Sequence, residues 1–319
     1  GRTEVFSPYA QAKVDEHIKY LDVTSLYPFI CSFAMLPIGH PEIFFGSQCD
    51  ISRLHPRHEN AYFGYVRCKV IPNKRDLLGL LPGKLPCGKL VFDLNDKVGM
   101  WFTEEIYLAM ENGYVVTDIY EVHHFDQENR SDKLMRGYME AFLTLKQEAE
   151  GWKKLGASND SPTEEEKDLI IQRLFDSNGG IGRIDKAKVV KNPVLRQVSK
   201  IFLNCLWGKF CQRSKCEFFE ELSSYQDYLA VTSLPEYDNM SFRQMSAGRW
   251  RVKYSVPSDS LPPNKKYNIY LAAGVTAQAR CYLHRQMLRI GPERVLYCDT
   301  DSIIFLYHND GKELTGIGL

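Results

Sequence analysis

Apolar and polar positions change period several times along the chain, and each change marks an element. A short β-prone run over 17–21 ends at Asp22, after which Thr24-Ser25-Leu26-Tyr27-Pro28 turns into an apolar segment that reaches Leu36. Residues 61–72 alternate through Tyr62, Gly64, Val66, Cys68 and Val70 and stop at Pro72, the pattern of a strand. A Gly/Pro-rich stretch over 80–88 precedes a strand expected at 89–94. Trp101-Phe102-Thr103-Glu104-Glu105 reads as a helix start capped by Thr103, with Asn112-Gly113 as its stop. A further strand is expected over 114–122, and the adjacent His123 and His124 point to opposite faces, which favours ordinary core and surface roles over metal ligation.

Leu134, Met135, Tyr138, Met139, Phe142, Leu143 and Leu145 then form one broad helical face, with Ser131 as the expected cap and Gly151 as the stop. Lys146 emerges near the end of that helix, where the dipole favours a cation. Ser161-Pro162-Thr163-Glu164 has the form of a capping box with proline at the first helical position, opening a helix to about Phe175. The stretches 151–160 and 178–180 read as loops bounding an insertion. A longer helix begins near Asn192-Pro193, and within it Arg196, Lys200 and Asn204 are four apart and share one face. Stacked cations repel, and a polyanion such as a triphosphate would relieve them; a solvated basic face is the plainer alternative. From 218 to about 270 the pattern is β-like and aromatic, with Phe242, Trp250, Val252, Tyr254 and Val256 beside Arg243, Arg249, Arg251 and Lys253, a ribbon with a basic side. A small-residue helix over 272–288 leads into a hairpin whose apolar arms, Val295-Leu296 and Ile303-Ile304-Phe305-Leu306, flank the tip Tyr297-Cys298-Asp299-Thr300-Asp301-Ser302.

That tip carries the chemistry. Two carboxylates in an oily hairpin repel each other and lose hydration unless a cation joins them, and an all-oxygen donor set suits a hard ion such as Mg²⁺. An Asx-type turn is the alternative for the isolated pair. Asp22, at a strand's exit, is placed where open sheets bind ligands, although it or Thr24 or Ser25 could equally cap the next helix.

Composition narrows the class. The 319 residues are 44% hydrophobic, enough for two or three subdomains, and 40 basic against 40 acidic side chains leave no net charge. Nucleic-acid binding must therefore come from a local surface, and residues 183–215 supply nine cations against the single acid Asp185. Nine cysteines without a Cys-x-x-Cys argue against a disulfide framework or zinc knuckle and suggest reduced thiols. No apolar run reaches membrane-spanning length and no signal-peptide pattern is seen. Starting on Gly1 without Met, the chain reads as a piece of a longer intracellular protein, with nuclear, cytoplasmic and mitochondrial placement indistinguishable.

With residues 22–28, 200–208 and 297–302 in hand, the chain resembles the family B DNA polymerases. The family's Asp-x-x-Ser-Leu-Tyr-Pro stands as Asp22-Val23-Thr24-Ser25-Leu26-Tyr27-Pro28, and its Tyr-x-Asp-Thr-Asp-Ser as Tyr297 to Ser302. Lys-x-x-x-Asn-Ser-x-Tyr-Gly appears as Lys200 to Gly208, with Cys205 for Ser and Trp207 for Tyr. Long insertions between the motifs resemble the protein-primed branch, which includes polymerases of Maverick/Polinton transposons, linear plasmids and related viruses. Gly1-Arg2 is similar to the tail of that branch's template-contacting Tyr-x-Gly-Gly motif.

The resemblance implies an α+β fold, with an antiparallel palm sheet, helical fingers and β-rich insertions, and with thumb and exonuclease outside the chain. It implies palm at 1–60 and 266–319, a TPR1-like insertion at 61–130, fingers at 131–210 with an inserted segment at about 151–191, and a TPR2-like β-rich insertion at 211–265. Asp22, Asp299 and Asp301 would be catalytic, with Asp22, Asp301 and the Val23 carbonyl holding two Mg²⁺, for which Mn²⁺ could substitute. Ser25, Leu26, Lys146, Arg196, Lys200 and Asn204 would bind the nucleotide, and Tyr27 would reject a 2′-hydroxyl. Trp207, Gly208, Gly1 and Arg2 would border the base pair or template, and Thr300 and Ser302 the primer. DNA template-primer, dNTPs and, as a further candidate, a terminal priming protein are the implied partners, with no membrane. The competing readings are an inactive element-derived remnant that binds nucleic acid and a Mg-dependent nuclease using the same acids.

Overall fold

Residues 2–212, 217–234, 238–256 and 267–308 are described by the computed structural model and fall into two units, Gly1–Trp207 with Ile269–Leu319, and Gly208–Asn268. The first unit opens with β1 (Thr3–Val5), β2 (Glu16–Asp22), α1 (Leu26–Phe33), β3 (Leu36–Pro37) and β4 (Glu42–Phe45). The alternating run forms β5 (Gly64–Ile71), followed by β6 (Gly83–Lys84), β7 (Leu90–Val91), β8 (Lys97–Phe102), α2 (Thr103–Glu111), β9 (Val115–His124) and β10 (Arg130–Ser131). Helices α3 (Arg136–Glu148), α4 (Glu164–Ser177) and α5 (Pro193–Lys209) come next. The second unit contains β11 (Glu217–Leu222), α6 (Tyr225–Thr232), β12 (Asp238–Ser246) and β13 (Arg249–Ser255). The chain then returns to the first with α7 (Ile269–Ile290), β14 (Val295–Asp299) and β15 (Ser302–His308).

Two antiparallel four-stranded sheets organise the first unit, in the orders β1-β14-β15-β2 and β4-β9-β5-β8. Helix α7 packs against both, because its apolar face is broad and its small residues let neighbours approach: a side chain on Gly274 would sit 3.3 Å from Leu36 and the Tyr65 hydroxyl. Leu283, Met287 and Ile290 of α7 meet Val295, Cys298, Ile303 and Phe305 beneath the hairpin. Full burial of one such Leu or Ile stabilises by about 1.5–3 kcal/mol. The Arg280 guanidinium on α7 bonds Glu105 of α2 at 2.8 Å, and the Glu105 side chain is only 2% exposed.

Several local expectations change. The strand expected over 89–94 shrinks to Leu90–Val91, because Asp93 turns the chain by accepting from Asn95 and the Lys97 ammonium. Thr103 begins α2 without capping it; its hydroxyl instead accepts from the Gly64 amide at 3.2 Å. Ser131 pairs with Leu36 in β10, and α3 starts only at Arg136. Thr163, not Ser161, caps α4 by accepting from the Glu166 amide, so Pro162 precedes the cap. Residues 218–270 are not all strand, since Ser224 and Asp227 form a capping box that starts α6. The basic side of the β13 ribbon is partly neutralised: Arg251 bonds Glu221, and Lys253 bonds Glu217, both at 2.8 Å across to β11. His123 joins Tyr270 and Glu121, while buried His124 accepts from the Phe63 amide, so both serve structure. Among the described residues no helix is long and apolar enough to cross a membrane.

Candidate active site

Backbone pairing brings Asp22 and Asp301 together. Strand β15 pairs with β2 so that Ser302 stands opposite Asp22, and the Val23 amide donates to the Asp301 carbonyl at 2.8 Å. The β14–β15 hairpin closes through Thr300 in the left-handed region, at φ 52°, with the Asp301 amide donating to the Asp299 carbonyl at 2.6 Å. Asp22 and Asp301 line one cleft of about 530 Å³. Burial, and after it the charges of Asp22 and Asp299, push the Asp301 carboxyl above its ordinary range. Asp299 is outside that lining; its Oδ1 accepts from the Thr3 and Thr300 hydroxyls, each at 2.9 Å.

Helices supply the cations. Lys146 of α3 and Arg196, Lys200 and Asn204 of α5 line the same cleft, so the four-residue spacing does place one face of α5 there. Burial lowers the Lys146 ammonium below its usual value, with Glu150 opposing the shift and Arg196 and Lys200 adding to it. Arg196 is held by Glu150 at 2.9 Å. Lys200 and Asn204 are exposed and have no hydrogen-bond or ion-pair partner among the described residues.

Ser25, Leu26 and Tyr27 complete the cleft at the start of α1. Ser25 is the N-cap in a left-handed conformation, φ 57°, and makes no side-chain cap. That conformation costs a non-glycine residue about 1–2 kcal/mol. The Val23 carbonyl accepts from the Leu26 amide at a long 3.3 Å. Tyr27 stacks on Trp207, ring centroids 4.8 Å apart and planes at 11°, and burial raises its phenol above the ordinary value.

Other candidates fall elsewhere. The Arg2 side chain is 1% exposed and lies over the Phe92 ring at 4.5 Å, so burial removes it from any template-facing surface. Ser302 is buried, its hydroxyl donating to the Asp299 carbonyl, which leaves it unavailable to a primer. Thr300 spends its hydroxyl on Asp299. Gly208 belongs to the second unit, and Gly1 lies outside the described residues. Sequence reasoning missed Thr3 on Asp299 and the Tyr20 phenol, which donates to Asp22 Oδ2 at 3.2 Å. The alternation of β2 could have flagged Tyr20, two residues from Asp22 on the same face.

Among the described residues no three His, Cys, Asp or Glu side chains converge tightly enough to hold a metal alone. Asp22 and Asp301 nonetheless offer hard oxygen donors in one cleft, a pair that fits an ion taking its other ligands from phosphates and water; Val23, the third expected ligand, is buried and outside that lining.

Residues 1–158 match the family described as DNA polymerase type B, organellar and viral. Over that stretch the chain is similar to the type B DNA polymerases. A probable DNA polymerase of Podospora anserina is 26% identical over 95% of this chain and 22% of its own length. One from Neurospora intermedia is 22% identical over 95% of this chain and 26% of its own length. The chain thus spans about a quarter of the length of these curated relatives. Phi29 DNA polymerase complexed with primer-template DNA and incoming nucleotide shares the fold, with a TM-score of 0.53 and 16% identity over 96% of this chain and 41% of that one. Phi29 DNA polymerase complexed with single-stranded DNA matches with a TM-score of 0.52 and 16% identity over 99% of this chain and 42% of that one.

Proposed function

We propose that this cleft adds deoxynucleotides to a primer 3′-hydroxyl on a DNA template, as the core of a protein-primed polymerase. One observation carries the reading: the acids of the hairpin sheet and the cations of α3 and α5 line a single cleft of about 530 Å³, large enough for a nucleotide. Asp22, Asp301 and the Val23 carbonyl would hold two Mg²⁺, or Mn²⁺, with Asp299 as a third negative charge nearby. Held by these residues, divalent ions would supply a lowered pKa for the attacking hydroxyl and offset charge on the leaving pyrophosphate.

The chain's own side chains do the remaining work. Lys200, whose side chain has no partner among the described residues, would take phosphate oxygens as a point charge, and Arg196 would offer its guanidinium beside Glu150. Lys146, whose charge is disfavoured by burial and by its neighbours, would gain the most from an arriving polyanion. Ser25 and Leu26 would place amides near the phosphates. Tyr27, backed by the Trp207 indole, would form a wall against a ribose 2′-hydroxyl, and Asn204 with Trp207 would border the base. We assign residues 1–60 and 266–319 to the palm, 131–210 to the fingers, and 61–130 and 211–265 to insertions.

Primer extension with Mg²⁺ and dNTPs, run beside an Asp22→Asn/Asp301→Asn double variant, tests the reading. Template-directed extension that disappears in the variant is expected; extension that survives would sink the assignment.

A further inference from the structure

We propose that Thr3 is a positioning residue for Asp299, its hydroxyl fixing that carboxylate as the third negative charge beside the divalent-ion site. The proposal rests on the polymerase reading above and adds a residue that none of the sequence motifs contains.

Strand β1 pairs antiparallel with β14, and its register puts Thr3 directly opposite Asp299. From there the Thr3 hydroxyl donates to Asp299 Oδ1 at 2.9 Å, and the Thr300 hydroxyl donates to the same oxygen at 2.9 Å. The preceding residue holds the turn as well, since the Thr300 amide donates to the Arg2 carbonyl at 2.5 Å. Burial of the Arg2 side chain between Phe6 and Phe92 anchors the strand, so Thr3 is presented from a fixed base.

A hydroxyl donating to a carboxylate is a charge-assisted bond that selects one rotamer. Two such donors on Oδ1 restrain rotation of a group that would otherwise swing away from the like charge of Asp301. Packing alone does not call for the hydroxyl. Thr3 is exposed, and valine, equally β-branched, would suit the strand as well.

Thr3→Val and Thr3→Ser separate the two roles. Mn²⁺ binding to the whole chain, followed by the electron paramagnetic resonance signal of free Mn²⁺, reads the ion site without any reaction. Thr3→Val is expected to weaken Mn²⁺ binding about 10-fold and to raise the Mg²⁺ needed for half-maximal single-nucleotide addition by a similar factor. The KM for dNTP should stay within about twofold and kcat should fall. Thr3→Ser should restore both the Mn²⁺ affinity and the Mg²⁺ dependence, which a strand-packing role would not predict. Wild-type Mn²⁺ affinity and Mg²⁺ dependence in Thr3→Val would overturn the proposal. A wild-type chain that binds Mn²⁺ but does not extend primers would overturn the polymerase reading, while the Mn²⁺ comparison would still decide the role of Thr3.

Discussion

Asp22 and Asp301 are set by strands whose backbones are paired along their length, whereas Lys146, Arg196 and Lys200 ride on helices held mainly by side chains. Beneath the acids, 12 of the 22 residues of α7 are buried. On α5 only Ser199 and Leu203 of 17 residues are. What fastens α5 is a stack of Phe202 on Phe142 with centroids 4.7 Å apart, the Arg196–Glu150 pair at 2.9 Å and the Trp207–Tyr27 stack. Aromatic pairs of this kind add about 0.5–1.5 kcal/mol each beyond the area they bury. The like charges that must stay close despite repulsion are built into the sheet. Of the cations proposed to meet an arriving anion, Arg196 and Lys200 sit on α5, an element with little buried surface.

The largest effect that would sharpen this contrast is loss of activity at the rigid half. Asp301→Asn should cut nucleotide addition at least about 1,000-fold, measured by single-turnover extension. Calorimetry without divalent ions should find the variant no less stable, because ionised Asp301 is opposed by burial and by Asp22 and Asp299. A variant that kept a tenth of the rate would break the assignment of the acids.

Next comes the anchor beneath them. Glu105→Gln leaves the Arg280 guanidinium without its acid between α2 and α7 and should cost about 3–5 kcal/mol in denaturant unfolding. A loss under about 1 kcal/mol would mean that α7 is fixed by apolar packing alone.

The helical half should respond in the opposite sense. Lys200→Ala should raise the KM for dNTP by about 10–100-fold, worth about 1.4–2.8 kcal/mol, and leave the unfolding midpoint nearly unchanged. A drop in stability without a change in KM would show that α5 is structural and that its basic face is merely solvated.

The smallest effect concerns pH. Buried His284 on α7 is held neutral, its pKa pushed down to about 3 by burial and then by Arg2 and Arg285. In the unfolded chain it titrates near its usual 6.5, so its contribution to stability is complete above that value and is lost as pH falls towards 3. Urea midpoints at pH 7 and pH 4.5 should therefore differ less in His284→Leu than in the wild type. An equal slope in the two would place the acid sensitivity elsewhere.

Much of the architecture was legible from periodicity. The alternation over 61–72 became β5, and the proline-started stretch at 193 became α5, because both patterns reflect which face meets a core. Caps were read less well. Ser131 and Thr103 are good capping residues whose hydroxyls were claimed by the Lys133 and Gly64 amides instead. Local propensity ranks such partners equally, and only the surrounding fold decides between them. Helix α6 was hidden because its aromatic residues also suit strands; its capping box at Ser224 was the available signal. In the site, Asp22, Ser25, Leu26, Tyr27, Lys200, Asn204, Trp207 and Asp301 line one cleft and Asp299 stands outside it, whereas Arg2 and Ser302 carry polar groups that were expected to face DNA and that the fold buries.

The order of three short motifs carried the resemblance to type B DNA polymerases, because each pairs a chemical group with a fixed local geometry: acids at a strand's exit, cations four apart on a helix, acids at a tight hairpin. What the tertiary structure alone decided is which groups share a carboxylate or a ring. Thr3 meets Asp299 across 296 residues of chain, and Trp207 meets Tyr27 across a helix-to-helix approach. Such contacts depend on strand register and helix packing summed over the whole core, and no local pattern of residues encodes them.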